Sequence, residues 1–241
     1  MYGYIFALLI AILLVRLVHK EMEMRNDLLC GFTFAALLLA SYPILSPLHL
    51  STLTPLMVVI SYFALFQIPE QANPPVQSFV AYLLLGTTSL LYPKILWLIP
   101  VFLIAQILFQ AMNIKVILAS ALGVIVPWIW KWTLETCGLT LENIANVAAS
   151  LHAENSSLVS RLSSLVSVSA LLLLFLWCLW NFRKRTYFNK SRTRLLYQVI
   201  ILLQIASFVM LVFDSEGFSE WYMLILVNTS LLVSRVIDRI I

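Results

Sequence analysis

The sequence predicts an all-α protein: a polytopic transmembrane helical bundle of about nine spans (eight to ten), with an amphipathic helix at the membrane interface. Three observations carry this. Of 241 residues, 62% are hydrophobic and only 11% are charged, against about 25% charged in a soluble domain. A single soluble core in a chain of this length could not hide so much apolar surface from water, whereas a bilayer acts as the apolar solvent. The apolar runs are also apolar on every side, as at 7–14 and 169–177. Strands of a membrane barrel would instead alternate over about ten residues.

Nine apolar segments follow in order: 2–18, 28–45, 51–66, 76–91, 95–109, 114–132, 165–182, 195–213 and 221–237. Most lie near the lower limit of the roughly 17–25 residues that cross a bilayer as a helix. The first has no positive charge before it and no small-x-small cleavage pattern after it. It therefore reads as a retained span, not a secretory signal. Pro43, Pro47 and Pro55 surround the second outer loop. Segments 76–91 and 95–109 are separated only by Tyr92, Pro93 and Lys94. They read as two spans joined by a tight turn, or as a re-entrant hairpin, whose non-helical backbone would need protein or water around it.

Residues 140–164 differ in kind. Leu141, Ile144, Ala148, Leu151, Leu158, Leu162 and Leu165 recur at helical spacing, with polar residues such as Glu142, Asn146 and Glu154 on the other face. This predicts an amphipathic helix, broken near Asn155, that lies on the outer surface or caps the bundle. No internal repeat or linker divides the chain, so residues 1–241 read as a single integral membrane domain.

Charge sets the orientation. With nine spans and the N-terminus outside, the cytoplasmic side receives Arg16, Lys20, Arg25, Lys115, Arg183, Lys184, Arg185, Lys190, Arg192, Arg194, Arg235 and Arg239. That is twelve of the 15 positive residues, leaving Lys94, Lys131 and Arg161 outside. The positive-inside rule favours this arrangement, with the C-terminus cytoplasmic. The loop bearing Arg183, Lys184, Arg185, Lys190, Arg192 and Arg194 dominates the count. It reads as a topology determinant that contacts anionic lipid, or as a dock for an acidic partner. Trp128, Trp130, Trp132 and Trp221 at outer ends, with Trp177 and Trp180 near an inner end, fit an interfacial aromatic belt. The net charge of +4 is thus explained by the membrane, and no nucleic-acid partner is expected.

Signatures of chemistry are sparse. No Asp or Glu lies mid-span to relay protons or hold a cation. His19, His49 and His152 fall on both sides of the proposed membrane, and Cys30, Cys137 and Cys178 form no metal or disulfide framework. There is no glycine-rich phosphate loop and no zinc spacing, so no cofactor, metal site or catalytic residue is expected. Uncharged polar residues do occur within spans: Gly86-Thr87-Thr88-Ser89, Gln106, Gln110, Gln204 and Asn228-Thr229-Ser230. They read either as a polar cavity or as interhelical hydrogen bonds and close packing at small residues.

The stretch Leu85-Gly86-Thr87-Thr88-Ser89-Leu90-Leu91-Tyr92-Pro93-Lys94-Ile95-Leu96-Trp97-Leu98-Ile99-Pro100, then Ile117-Leu118-Ala119-Ser120-Ala121-Leu122-Gly123 and Pro127-Trp128, resembles a family of uncharacterised bacterial inner-membrane proteins classified as a domain of unknown function. Lys190-Ser191-Arg192-Thr193-Arg194 and Asn228-Thr229-Ser230 extend the likeness. The resemblance implies a polytopic protein of a Gram-negative cytoplasmic membrane and supplies no activity. The same stretch is similar, more faintly, to the helix pair of GT-C-type membrane glycosyltransferases, which use lipid-linked sugar donors and an acid in an early outer loop. Here the loop from Ser46 to Leu50 has no acid, only His49. The outer acids, Glu135, Glu142, Glu154, Asp214, Glu216 and Glu220, all come late. The likeness therefore implies the scaffold without the activity.

The expected function is a non-enzymatic envelope or assembly protein, in contact with the lipid bilayer and with a membrane-protein partner. The alternatives are a GT-C-like enzyme or carrier acting on a lipid-linked substrate at the outer face, and a small-solute transporter.

Overall fold

The computed structural model describes residues 2–22, 26–41, 52–70, 74–136, 158–185, 191–214 and 217–238. Among the described residues there are nine α-helices and no strand. These are α1 (Tyr2–Leu17), α2 (Leu28–Ala40), α3 (Leu53–Phe66), α4 (Pro74–Leu91), α5 (Ile99–Leu108), α6 (Ile114–Thr136), α7 (Leu158–Arg185), α8 (Ser191–Phe213) and α9 (Phe218–Asp238). Four contain stretches long and apolar enough to cross a membrane: Ile114–Thr136, Leu165–Phe182, Thr193–Phe213 and Phe218–Asp238. By length and apolarity these four fit the spans of a membrane protein.

The other five apolar segments, 2–18, 28–45, 51–66, 76–91 and 95–109, occupy helices that are shorter or less apolar. The reasons are local. Helix α2 ends at Ala40 with Ser41 as its cap, short of Pro43. Helix α4 opens on Pro74 and Pro75, which suit a first helical turn, and Gln77, Ser78 and 86–89 dilute its apolar content. Segment 95–109 is not one α-helix, because Pro93–Leu98 winds as a 3-10 helix before the ten residues of α5 begin. Ten α-helical residues rise about 15 Å, half of a hydrocarbon core. Most of the expected amphipathic segment 140–164, including the break at Asn155, lies outside the described residues. From Leu158 onward the chain already belongs to α7.

The chain divides into two compact units, Met1–Thr52 with Glu154–Ile241, and Leu53–Ala153. In the first, α9 is the hub. It packs against α2, α7 and α8, and every residue from Glu220 to Leu232 is buried. Burial all round marks a helix enclosed by protein. Helix α7 instead leaves Leu165, Val166, Leu173 and Trp180 exposed, as a lipid-facing helix does. Helix α1 packs on α2 and runs into a π-helical turn, Val18–Met22, that meets α8.

In the second unit α4 and α6 pack along a seam of small residues. The buried positions of α6 are Val116, Ser120, Gly123 and Pro127, one stripe at three-to-four spacing. Gly123 lies against the α4 backbone: a Cβ there would sit 2.7 Å from the Phe79 carbonyl oxygen and 2.9 Å from the Leu83 nitrogen. Pro127 has no N–H to offer the Gly123 carbonyl four residues back. That oxygen lies in the seam, 3.1 Å from where a Cβ on Gly86 would be. Beside the seam, Tyr62 of α3, Tyr82 of α4 and Phe102 of α5 form an aromatic cluster with centroids 5.8–6.2 Å apart.

Gly123→Ala is expected to cost about 1–3 kcal/mol, the range for overpacking, because the clashing atoms are backbone. Gly31→Ala is expected to cost less, since its near contact at 2.8 Å is the tip of the Val15 side chain. Unfolding of the two variants in mild detergent measures the difference.

Candidate functional site

Buried polar side chains with hydrogen bonds between helices fall into two groups among the described residues. In the second unit, Ser78 of α4, Gln106 of α5 and Ser120 of α6 meet at the seam, all buried. The Gln106 Nε2 donates to Ser78 Oγ at 2.7 Å and to Ser120 Oγ at 3.2 Å, and the two hydroxyls are 2.7 Å apart. Ser120 also reaches back to the Val116 carbonyl at 2.8 Å. Further along the seam, Trp128 Nε1 donates to Ser89 Oγ at 2.9 Å. Except for the Ser120 bond to Val116 within α6, these bonds run between helices, where each is worth about 0.6 kcal/mol on average in lipid.

In the first unit the polar contacts converge on α9. Tyr222 donates its hydroxyl proton to Ser41 Oγ at 2.8 Å and bonds Ser167 of α7. Gln204 of α8 donates to Thr229 Oγ1 at 3.1 Å. Thr33 of α2 donates to the Ser230 carbonyl at 3.3 Å. At one end of the unit Asp238 accepts from the Asn26 N–H at 3.0 Å and lies 3.6 Å from Arg235. At the other end Asp214 accepts from Trp221 Nε1 at 3.0 Å and from the Gly217 N–H at 3.4 Å.

The sequence-predicted polar residues are divided between the two units. Gln106 belongs to the α4–α5–α6 contact, Gln204 and Asn228 belong to the first unit, and Gln110 is exposed at the end of α5 with φ of 54°. Of the basic residues, Arg183, Lys184 and Arg185 form the last turn of α7, and Arg192 and Arg194 lie in the first turn of α8. Arg194 is exposed, and Lys190 lies outside the described residues.

Glu21, Asp214 and Glu220 are all buried, each at or next to a helix end. In sequence Asp214 and Glu220 read only as outer acids. The signal for Asp214 was the tryptophan seven residues on, close enough across a tight helix hairpin to return an indole N–H. Nothing local marked Glu21. Among the described residues no group of three or more His, Cys, Asp or Glu is placed to hold a metal ion.

A shallow open groove of about 350 Å³ lies along the 3-10 helix, lined by Pro93, Lys94, Leu96, Trp97 and Pro100. Trp97 is exposed in it. Comparison with protein families, characterised proteins and solved structures finds no match to this chain.

Gln106→Leu removes the donor shared by Ser78 and Ser120, and is expected to destabilise the protein by about 0.6–1.7 kcal/mol, the range for such bonds in a membrane. Because the two serines still bond each other, Ser78→Ala added to Gln106→Leu should cost less than it does alone. A double-mutant cycle of unfolding in detergent reads both.

Proposed function

We propose that this chain is a multi-pass inner-membrane protein of about nine spans, N-terminus outside and C-terminus cytoplasmic, acting as a non-enzymatic scaffold or assembly partner in a bacterial envelope. The observation that carries the scaffold reading is the use made of interior polar side chains. Gln106, Ser78, Ser120, Gln204, Thr229 and Tyr222 bond helix to helix. Such bonding fixes a bundle and leaves little free polar lining for a pathway. The inner-membrane placement rests on the sequence resemblance.

The orientation draws support from the first unit. Tyr197, near the start of α8, donates to Met22 Sδ at the end of the π turn, and Asp238 at the end of α9 holds Asn26. Arg16, Lys20, Arg194 and Arg235 are therefore at one end of that unit, while Asp214 and Trp221 are at the other. Positive residues gathered at one end mark a cytoplasmic face.

A second reading, a carrier or enzyme for a lipid-linked substrate, is favoured by the groove at Pro93, Lys94, Leu96, Trp97 and Pro100. It falls within the stretch that is similar to the GT-C helix pair.

Affinity purification in mild detergent is expected to return the chain with a stoichiometric membrane-protein partner. Recovery as a lone monomer that turns over a lipid-linked substrate overturns the scaffold reading. For the second reading, the outer acids Glu135, Glu142, Glu154, Asp214, Glu216 and Glu220 are replaced singly by their amides. Unchanged cellular function in all six rules out acid-dependent catalysis.

Orientation is checked by thiol labelling after Cys137→Ser, since Cys30 and Cys178 are buried. Phe188→Cys should react only from the cytoplasm and Ser215→Cys only from outside. The reverse pattern inverts the topology.

A further inference from the structure

Asn228 lies at the middle of α9 and is wholly buried, yet among the described residues neither its Nδ2 nor its Oδ1 has a hydrogen-bond partner. Gln204 on α8 is also wholly buried, and its Oε1 is likewise without a partner. A buried amide left unbonded is costly. Two of them call for a common explanation only if they are close, and the register of α8 and α9 decides that.

The two helices form an antiparallel hairpin, closed by the Asp214 bonds to Gly217 and Trp221. Near its open end the Arg235 guanidinium lies over the Tyr197 ring, 5.6 Å from the centroid. Seven residues make nearly two helical turns. Stepping back seven from Arg235 along α9 reaches Asn228 on the same face, and stepping forward seven from Tyr197 along α8 reaches Gln204 on the same face. The register therefore sets Asn228 opposite Gln204. The bond from Gln204 Nε2 to Thr229, the next residue on α9, agrees with this at 3.1 Å.

Three polar atoms then share one buried place between α8 and α9: two acceptors, Gln204 Oε1 and Asn228 Oδ1, and one donor group, Asn228 Nδ2. Thr229 Oγ1 is already satisfied, since it donates to the Ile225 carbonyl at 2.6 Å and accepts from Gln204. A metal cation would suit the two oxygens and be repelled by the amide N–H. An anion would suit only the N–H. A water molecule suits all three, donating to both oxygens and accepting from the nitrogen. Three hydrogen bonds is also the usual number for a buried water.

We propose that Gln204 and Asn228 form a binding site for a single internal water in the middle of the α8–α9 pair, and that this water is a structural part of the first unit. The expectation for Asn228→Leu follows from the asymmetry of buried polar groups. With water bound, leucine takes away the water's partner and strands Gln204 Oε1, so the full-length protein in detergent micelles unfolds at a lower temperature. With no water, leucine removes two unbonded atoms and the unfolding temperature stays or rises, which overturns the proposal. The wild-type chain, labelled with ¹⁵N at asparagine, supplies a measurement that does not depend on the variant folding. A cross-relaxation peak between the protected Asn228 side-chain amide protons and water is expected, and it should vanish from the spectrum with Asn228→Leu. If the wild-type amide is resolved and shows no such peak, the site is dry and the proposal fails.

Discussion

The enclosure of α9 is the constraint on which the first unit depends. A helix buried on every side from Glu220 to Leu232 cannot offer a polar atom to lipid headgroups or solvent. Each hydroxyl, amide or indole on it needs a partner on a neighbouring helix, on its own backbone or in a buried water. The positions of α2, α7 and α8 follow from that need. Ser41, Ser167 and Gln204 each present a group that meets one on α9, while Ser230 and Ser234 turn back to their own helix at the Val227 and Leu231 carbonyls. Since lipid tails are as apolar as leucine, shape and these bonds hold the helices together in place of a hydrophobic driving force.

The second unit reaches the same end by a different route. It brings α4 and α6 together through missing side chains at Gly86 and Gly123 and a missing N–H at Pro127. The polar trio of Ser78, Gln106 and Ser120 then joins α5 to that seam. Close approach gives van der Waals contact along the backbone, and the amide of Gln106 adds direction to it. A seam of this kind tolerates little change at its small positions and more on the opposite face, where Leu118, Leu122, Ile125 and Ile129 are exposed.

Helical class and membrane character were legible in sequence because composition and all-round apolarity are properties of the segments themselves. Span length was less so. At 95–109 the apolar run is continuous, yet Pro93 and the 3-10 turns after it leave only ten residues of α-helix. At 28–45 the run passes straight over Ser41, where α2 stops. In sequence Gly86, Ser89 and Gln106 stayed open between a polar cavity and interhelical bonding, and the bonds of Ser89 and Gln106 to other helices appear only once those helices are in place. The hub role of α9 was not. Asn228-Thr229-Ser230 looks in sequence like the polar patch of any span, and only the positions of α2, α7 and α8 reveal that the whole circumference is covered. The burial of Glu21 was hidden for the same reason, since a carboxylate beside an apolar run reads as surface until the neighbouring helix is in place.

The place of α9 in the chain has a consequence for biogenesis. The helix that joins α2, α7 and α8 follows all three in sequence, so during synthesis they reach the membrane before the element that organises them. It is also poorly suited to entering lipid alone, since Asn228, Thr229, Ser230, Ser234 and Arg235 all oppose partitioning. The short Asp214 turn lets it enter as the second limb of a hairpin with the more apolar α8. Until then Ser41 is without its Tyr222 partner. Assembly of this unit is therefore a late, concerted event, and a ribosome that stalls before α9 would leave a set of inserted but unpacked helices for membrane proteases to recognise.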